Sequence, residues 1–501
     1  MVPISPGARV PFGLVHVPLD PGSDVPLYRQ LYEVLRQAIL DGRLQPRQRL
    51  PATRVLAEEL GVSRNTIVLA FELLVSEGYL MSRVGSGTFV TDALPEQLLQ
   101  VASPATRDAV ATEADVRLSR RGQLVAGLRI TSRGRAAGQR PFQPGAPALD
   151  AFPFDVWTRL TARVLRRLSP SAYSYGDPAG YRPLREAIAA YLRTARAVRC
   201  EPEQVIVVGG AQQGADLAAR LLLDDGDAAW VEDPGYLGAR AALASAGARI
   251  VAVPVDDEGL RVDAGEAAAP TARLAYATPS YQFPTGATMS LRRRLELLAW
   301  ATRADAWVIE DDYDSEYRYA GPPLTSLQGL DESGRVIYLG TFSKVLFPAL
   351  RIGYLVVPPP LVDAFVTAKS VADRQGSVLE QAVLADFIGE GHFSRHLRRM
   401  RVLYQERQRL LVEAAARHLS GLLEVAPADA GMHLIGGLPE GADDAEAARR
   451  AAAAGLMVPP LSLYGIEPGR RGGLVLGYPA FSGAEIDAAA RRLAGVLRRS
   501  E

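Results

Sequence analysis

Val336-Ile337-Tyr338-Leu339-Gly340-Thr341-Phe342-Ser343-Lys344 is the stretch on which the reading turns: an apolar run of strand type ends in a small-residue turn, and the turn carries a lysine. Apart from Lys344 and Lys369, every one of the 56 basic side chains is arginine. Compositional drift toward arginine accounts for the bias, and it makes the two exceptions informative. An always-protonated guanidinium cannot replace an amine that must lose its proton to act as a nucleophile. Lys369, in the helical-looking segment Phe365-Val366-Thr367-Ala368-Lys369, reads as a solvated surface residue. Lys344 follows a strand.

Outward from this stretch, short β-rich runs alternate with helical stretches: Val205–Val208, Ala229–Val231, Ile250–Val255, Leu274–Ala277, Trp307–Ile309 and Ile352–Val357. Such alternation predicts a mainly parallel sheet flanked by helices. The tail from about Arg398 reads as a smaller α/β lobe. Polar and glycine-rich motifs follow five of the strands: Gly209-Gly210-Ala211-Gln212-Gln213, Asp233-Pro234-Gly235-Tyr236, Pro279-Ser280-Tyr281-Gln282-Phe283-Pro284-Thr285-Gly286, Glu310-Asp311-Asp312-Tyr313, and Thr341-Phe342-Ser343-Lys344 with Arg351 seven residues on. Open α/β sheets gather ligands beyond the carboxyl ends of their strands.

The N-terminal part has another rhythm. After a Pro- and Gly-rich arm over residues 1–25, apolar residues Leu31, Val34, Leu35, Ala38 and Ile39 mark a helix within 26–41, stopped by Gly42. A second helix is expected over Thr53–Leu60, and a third over Arg64–Glu77 with Ser63 as its N-cap. Residues 79–90 read as two strands joined through Gly85-Ser86-Gly87, which completes a winged helix-turn-helix pattern. Residues 92–115, rich in Ala, Gln, Ser, Thr and Pro, read as a linker, with Arg- and Ala-rich helix resuming from Val116.

Length and composition set the bounds. A chain of 501 residues exceeds what one hydrophobic core usually organises. It has no apolar run of the ~18 residues that a membrane span needs and no basic-then-apolar leader, so a cytoplasmic protein is expected. The lone Cys200 and five scattered histidines show no metal-ligand spacing. Zero net charge means that any nucleic-acid affinity must come from local geometry.

The segments Leu50-Pro51-Ala52-Thr53-Arg54, Leu60-Gly61-Val62-Ser63-Arg64-Asn65-Thr66, Glu77-Gly78-Tyr79-Leu80 and Gly85-Ser86-Gly87-Thr88-Phe89-Val90 resemble the winged helix-turn-helix of the GntR family. The resemblance implies double-stranded DNA as a partner, with Arg54, Ser63, Arg64, Asn65 and Thr66 at the helix starts and Ser86, Gly87 and Thr88 in the wing as contacts. The five strand-end motifs resemble fold-type I aminotransferases, which use pyridoxal phosphate. That implies Lys344 as the Schiff-base lysine, Asp311 at the pyridinium nitrogen, Tyr313 at the ring hydroxyl and Tyr236 stacked on the ring. It also implies a phosphate held by Ala211, Gln212, Thr341, Ser343 and Arg351, with Tyr175 reaching the partner subunit's phosphate.

Joined, the two halves resemble the MocR subfamily of GntR regulators, in which a pyridoxal-phosphate-binding, aminotransferase-like domain senses a small molecule within a domain-swapped homodimer. The implied layout is a reader over 26–91, the linker 92–115 and the sensor over 116–501. The main alternative is a working aminotransferase with an appended DNA-binding domain. Three departures bear on that choice. Phe283 stands where aminotransferases carry an asparagine, Val475 where they carry the arginine for the substrate carboxylate, and Gly238 where the γ-aminobutyrate sensor has a second arginine. Arg240, Arg470 and Arg471 are the nearby candidates to substitute. The missing clamp points away from an ordinary amino-acid substrate and leaves pyridoxal phosphate itself as a candidate signal, as in the vitamin B6 regulators.

Overall fold

The computed structural model describes residues 19–83, 85–93, 118–127, 138–321, 324–468 and 471–498. The chain divides into two compact units, Met1–Val116 and Arg117–Glu501. The expected linker lies, beyond Ala93, outside the described residues.

The smaller unit holds α1 (Leu27–Leu40), α2 (Thr53–Leu60) and α3 (Arg64–Ser76), followed by the antiparallel strands β1 (Leu80–Arg83) and β2 (Gly87–Val90). Leu31, Leu35, Ile39, Leu56, Ile67, Phe71 and Leu74 form its core. Gly61 closes α2 in the left-handed conformation (φ 64°), and two residues on, the Ser63 side chain accepts from the Thr66 N–H at 3.1 Å to start α3. Residues 47–50 add a further rung to the hairpin, with Leu50 N–H bonded to Thr88 O at 2.9 Å.

The larger unit is built on an eight-stranded sheet whose spatial order is β3 (Val205–Val208), β10 (Gly353–Val356), β9 (Val336–Thr341), β8 (Trp307–Asp312), β7 (Leu274–Ala277), β4 (Ala228–Asp233), β5 (Arg249–Asp256) and β6 (Gly259–Leu260). The strands from β9 to β5 pair in parallel; β10 runs antiparallel to both of its neighbours. All seven expected strands are present, and those carrying motifs point their carboxyl ends to the same edge. β11 (Glu424–Val425), β12 (His433–Gly437) and β13 (Gly473–Gly477) form the separate antiparallel sheet of the C-terminal lobe. Among the described residues between the linker and Phe154, α-helix occurs over Arg120–Gly127, and residues 138–153 are mostly irregular.

Lys369 corrects the sequence expectation. It is 1% exposed and pairs with Asp373 one helical turn away, Nζ to Oδ1 being 2.5 Å. The helix Val362–Asp373 packs against the helix Ala211–Leu222, and Phe365 and Lys369, four residues apart, share its inward face. On the sheet's other side Trp230 and Trp300 stack with ring centroids 3.7 Å apart, both fully buried. Trp300→Ala is expected to cost about 3–5 kcal/mol of unfolding free energy, read as a lowered denaturation midpoint in urea.

Candidate functional site

The parallel strands deliver their motifs to one crevice. Lys344, half-buried just past β9, donates from Nζ to Gly145 O at 3.1 Å. The approach is close: a Cβ on Gly145 would lie 2.5 Å from that nitrogen. Asp311, on β8 and 4% exposed, accepts a hydrogen bond from Tyr276 of the neighbouring strand β7 through Oδ2, while its Oδ1 is buried with no partner among the described residues. Tyr313 OH and Ser343 Oγ are likewise buried and unpartnered. Phe283 packs edge-on against Tyr236 (6.2 Å), Tyr313 (6.1 Å) and Tyr464 (5.0 Å), so the rings form one wall. The Tyr236 hydroxyl lies 3.5 Å from Gln212 Oε1. Thr341 Oγ1 accepts from Ser343 N–H at 3.2 Å and holds the turn before Lys344.

Burial dominates the electrostatics here. It pushes the Asp311 carboxyl up to about 7 against the Tyr276 hydrogen bond, with Asp312 adding to the rise and Lys344 opposing it. Burial also lowers His433 to about 4, so its ring is neutral near pH 7. His433 Nε2 lies 2.9 Å from Pro284 O, and the ring packs against Phe283 with centroids 5.3 Å apart.

In the smaller unit Ser63, Arg64 and Asn65 are exposed at the start of α3, as is Arg54 at the start of α2. Arg64 Nε approaches Thr53 Oγ1 at 3.4 Å, which sets the two helix starts side by side. Ser86 and Gly87 are exposed at the wing, with Thr88 half-buried on β2.

Residues 27–90 match the family of bacterial regulatory proteins named gntR, and residues 144–493 match aminotransferase class I and II. The "Probable rhizopine catabolism regulatory protein MocR" of Rhizobium meliloti is 46% identical over 92% of this chain and 91% of its own length. The chain belongs to the MocR subfamily of GntR regulators. Another relative, the "HTH-type pyridoxine biosynthesis transcriptional regulator PdxR" of Corynebacterium glutamicum, is 32% identical over 92% of this chain and 94% of its own. Among solved structures, the multiple substrate aminotransferase of Thermococcus profundus covers 76% of this chain and 97% of its own, with TM-score 0.68 and 28% identity.

For this MocR-type chain the structure brings Lys344, Asp311, Tyr313, Tyr236, Gln212 and Ser343 to the crevice, and the Arg351 guanidinium lies beside Gly210, where an added Cβ would be 3.3 Å from Nη1. Tyr175 stands apart: it is 79% exposed, with the Arg374 guanidinium 5.0 Å from its ring centroid. The possible substitutes for a carboxylate clamp are engaged or undescribed. Arg471 pairs with Glu424 at 2.7 Å, Arg240 donates to Gly465 O at 3.4 Å, and Arg470 lies outside the described residues. Val475 is buried opposite Ile435, and a Cβ on Gly238 would come within 2.3 Å of Gln212 Oε1 and 2.4 Å of Tyr236, so no side chain fits there as these groups stand.

Sequence reasoning missed Gly145, Tyr276, Tyr464 and His433 at the crevice and Arg49, exposed beside Gly87, at the wing. Only Tyr276 carried a local signal, as a polar-tipped residue inside an otherwise apolar strand.

The raised Asp311 carboxyl makes a pH prediction. The folded, cofactor-free protein holds the Asp311 proton up to about pH 7, whereas the unfolded chain releases it near 4, so ionising it costs stability as pH rises through that window. Asp311→Asn is therefore expected to gain thermal stability over the wild type as pH rises from about 4 to about 7, the gap holding steady above. Melting temperatures of both proteins across that range check it.

Proposed function

We propose that this chain is a DNA-binding transcription regulator whose larger unit holds pyridoxal phosphate on Lys344 and reports its occupancy, or its reaction with a small amine, to the reader. The observation that carries the reading is that three of the buried polar atoms without a partner among the described residues lie on the motifs that flank Lys344: Asp311 Oδ1, Tyr313 OH and Ser343 Oγ. Buried polar groups cost free energy when left unpaired, and these three match the ring nitrogen, ring hydroxyl and phosphate of that cofactor. Bound there, the cofactor supplies an aldehyde carbon that exchanges amines and a ring that accepts electron density.

The chain's own residues do the rest. Lys344 would hold the cofactor through its amine, with Asp311 placed for the ring nitrogen and Tyr236 for one ring face. Ala211 and Gln212 offer first-turn N–H groups to the phosphate, joined by Thr341, Ser343 and Arg351. Neutral His433 and the rings of Phe283 and Tyr464 line the outer wall, where a charged substrate carboxylate finds no described guanidinium in place of Val475. Sensing therefore fits better than turnover. Residues 26–91 serve as reader, 92–115 as linker and 116–501 as sensor. A domain-swapped homodimer, with Tyr175 serving the partner's phosphate, would let occupancy change how two readers span their half-sites. Such a protein works in the cytoplasm.

Purified protein incubated with pyridoxal phosphate is expected to turn yellow and, after borohydride, to carry a phosphopyridoxyl group on Lys344. Lys344→Ala loses both while keeping its circular dichroism. A wild type that stays colourless overturns the reading, and steady-state transamination at enzyme-like rates overturns the preference for sensing. Arg64→Ala is expected to weaken binding to a duplex from the protein's own upstream region by about 1–3 kcal/mol with an unchanged visible spectrum, as measured by gel shift. Equal affinity would remove α3 as the reading helix.

A further inference from the structure

Lys369 is one of two lysines in the chain, and it is almost entirely buried. The ammonium loses its hydration while its partner Asp373 stays 38% exposed, so the pair is a poor source of stability. Its surroundings suggest another use. Nζ pairs with Asp373 Oδ1 at 2.5 Å, and the other carboxylate oxygen, Oδ2, accepts from Gln213 Nε2 at 2.8 Å. The far end of that amide, Gln213 Oε1, accepts from Gly209 N–H at 2.6 Å. Gly209 and Gly210 form the turn between β3 and the helix that starts at Ala211, and Arg351 lies against Gly210. An unbroken series of charge-assisted and amide hydrogen bonds thus runs from the buried ammonium to the backbone of the turn.

Each link fixes the next. The ammonium fixes which way the Asp373 carboxylate faces, and the carboxylate fixes the flip of the Gln213 amide, since only its NH2 end can donate. The amide oxygen is then aimed at Gly209. An arginine at 369 would carry a planar, longer head into a site that seats a single ammonium beside one carboxylate.

We infer that Lys369 is a positioning residue for the cofactor's phosphate. Acting through Asp373 and Gln213, it holds the Gly209–Gly210 turn where the N–H groups of Ala211 and Gln212 and the Arg351 guanidinium converge on one anion. The inference rests on the reading of the crevice as a pyridoxal phosphate site. The residues that follow in the chain grip a second element: Gln375 Oε1 accepts from Gly176 N–H, and Arg374 covers the Tyr175 ring.

The test compares two ligands that differ only in the phosphate. Cofactor-free, full-length protein is titrated with pyridoxal phosphate and with pyridoxal, and the apparent Kd for pyridoxal divided by that for pyridoxal phosphate is the readout. Lys369→Met is expected to weaken pyridoxal phosphate about tenfold or more while leaving pyridoxal within about twofold, because a displaced supporting group loosens the ligand it supports. Gln213→Met breaks the same series while leaving the Lys369–Asp373 pair in place, and is expected to lower the ratio similarly even if Lys369→Met does not fold. Lys369→Arg should not restore it. A wild-type ratio in Gln213→Met, or equal weakening of both ligands, overturns the inference while the wild type still binds and prefers the phosphorylated ligand. A wild type that binds neither ligand, or shows no preference, overturns the cofactor reading itself.

Discussion

A carboxyl group sealed from water with one oxygen unpaired is the condition on which the larger unit is organised. Asp311 reaches that state because β8 lies in the middle of the sheet, flanked by β7 and β9, and its last residues run straight into the crevice floor. Tyr276 satisfies one oxygen from the adjacent strand, and nothing described satisfies the other. A cationic heterocycle answers this need better than a neutral one, and Lys344 stands close enough to act electrostatically on the same carboxyl. The rings of Tyr236, Tyr313 and Tyr464, each edge-on to Phe283, then wall the space with aromatic surface.

Much of this was legible in the sequence because strand and motif occur together: an apolar run followed at once by Gly-Gly, Asp-Asp-Tyr or Thr-Phe-Ser-Lys marks both the strand and the edge at which it ends. The reversal of β10 was not legible, since a short apolar run such as Gly353–Val356 carries no sign of its direction. The reversal has a use. A strand running against its neighbours begins where they end, so Arg351, just ahead of β10, arrives at the ligand edge from the opposite sense. His433 and Tyr464 were invisible for another reason: they come from the C-terminal lobe and meet Phe283 only through tertiary packing.

Lys369 was misread although a signal existed. Val362, Phe365, Val366 and Lys369 recur at helical spacing, so the lysine falls on the apolar stripe and not opposite it. Treating charge as evidence of exposure overrode the periodicity. In the reader, by contrast, Ser63, Arg64 and Asn65 were both chemically apt and exposed, because a helix start in a small domain has little around it to bury them.

The burial of Lys369 gives the folded chain an unusual reactivity toward amine reagents. Of its two ε-amines, one is shut inside a helix seam and the other lines the crevice. Acylation or reductive methylation of the native protein therefore addresses essentially one side chain, and a ligand seated on Lys344 blocks it. Modification at Lys369 reports instead that the seam has opened. A single mass spectrum of labelled peptides would thus read ligand occupancy and local unfolding from the same molecules, with no engineered tag.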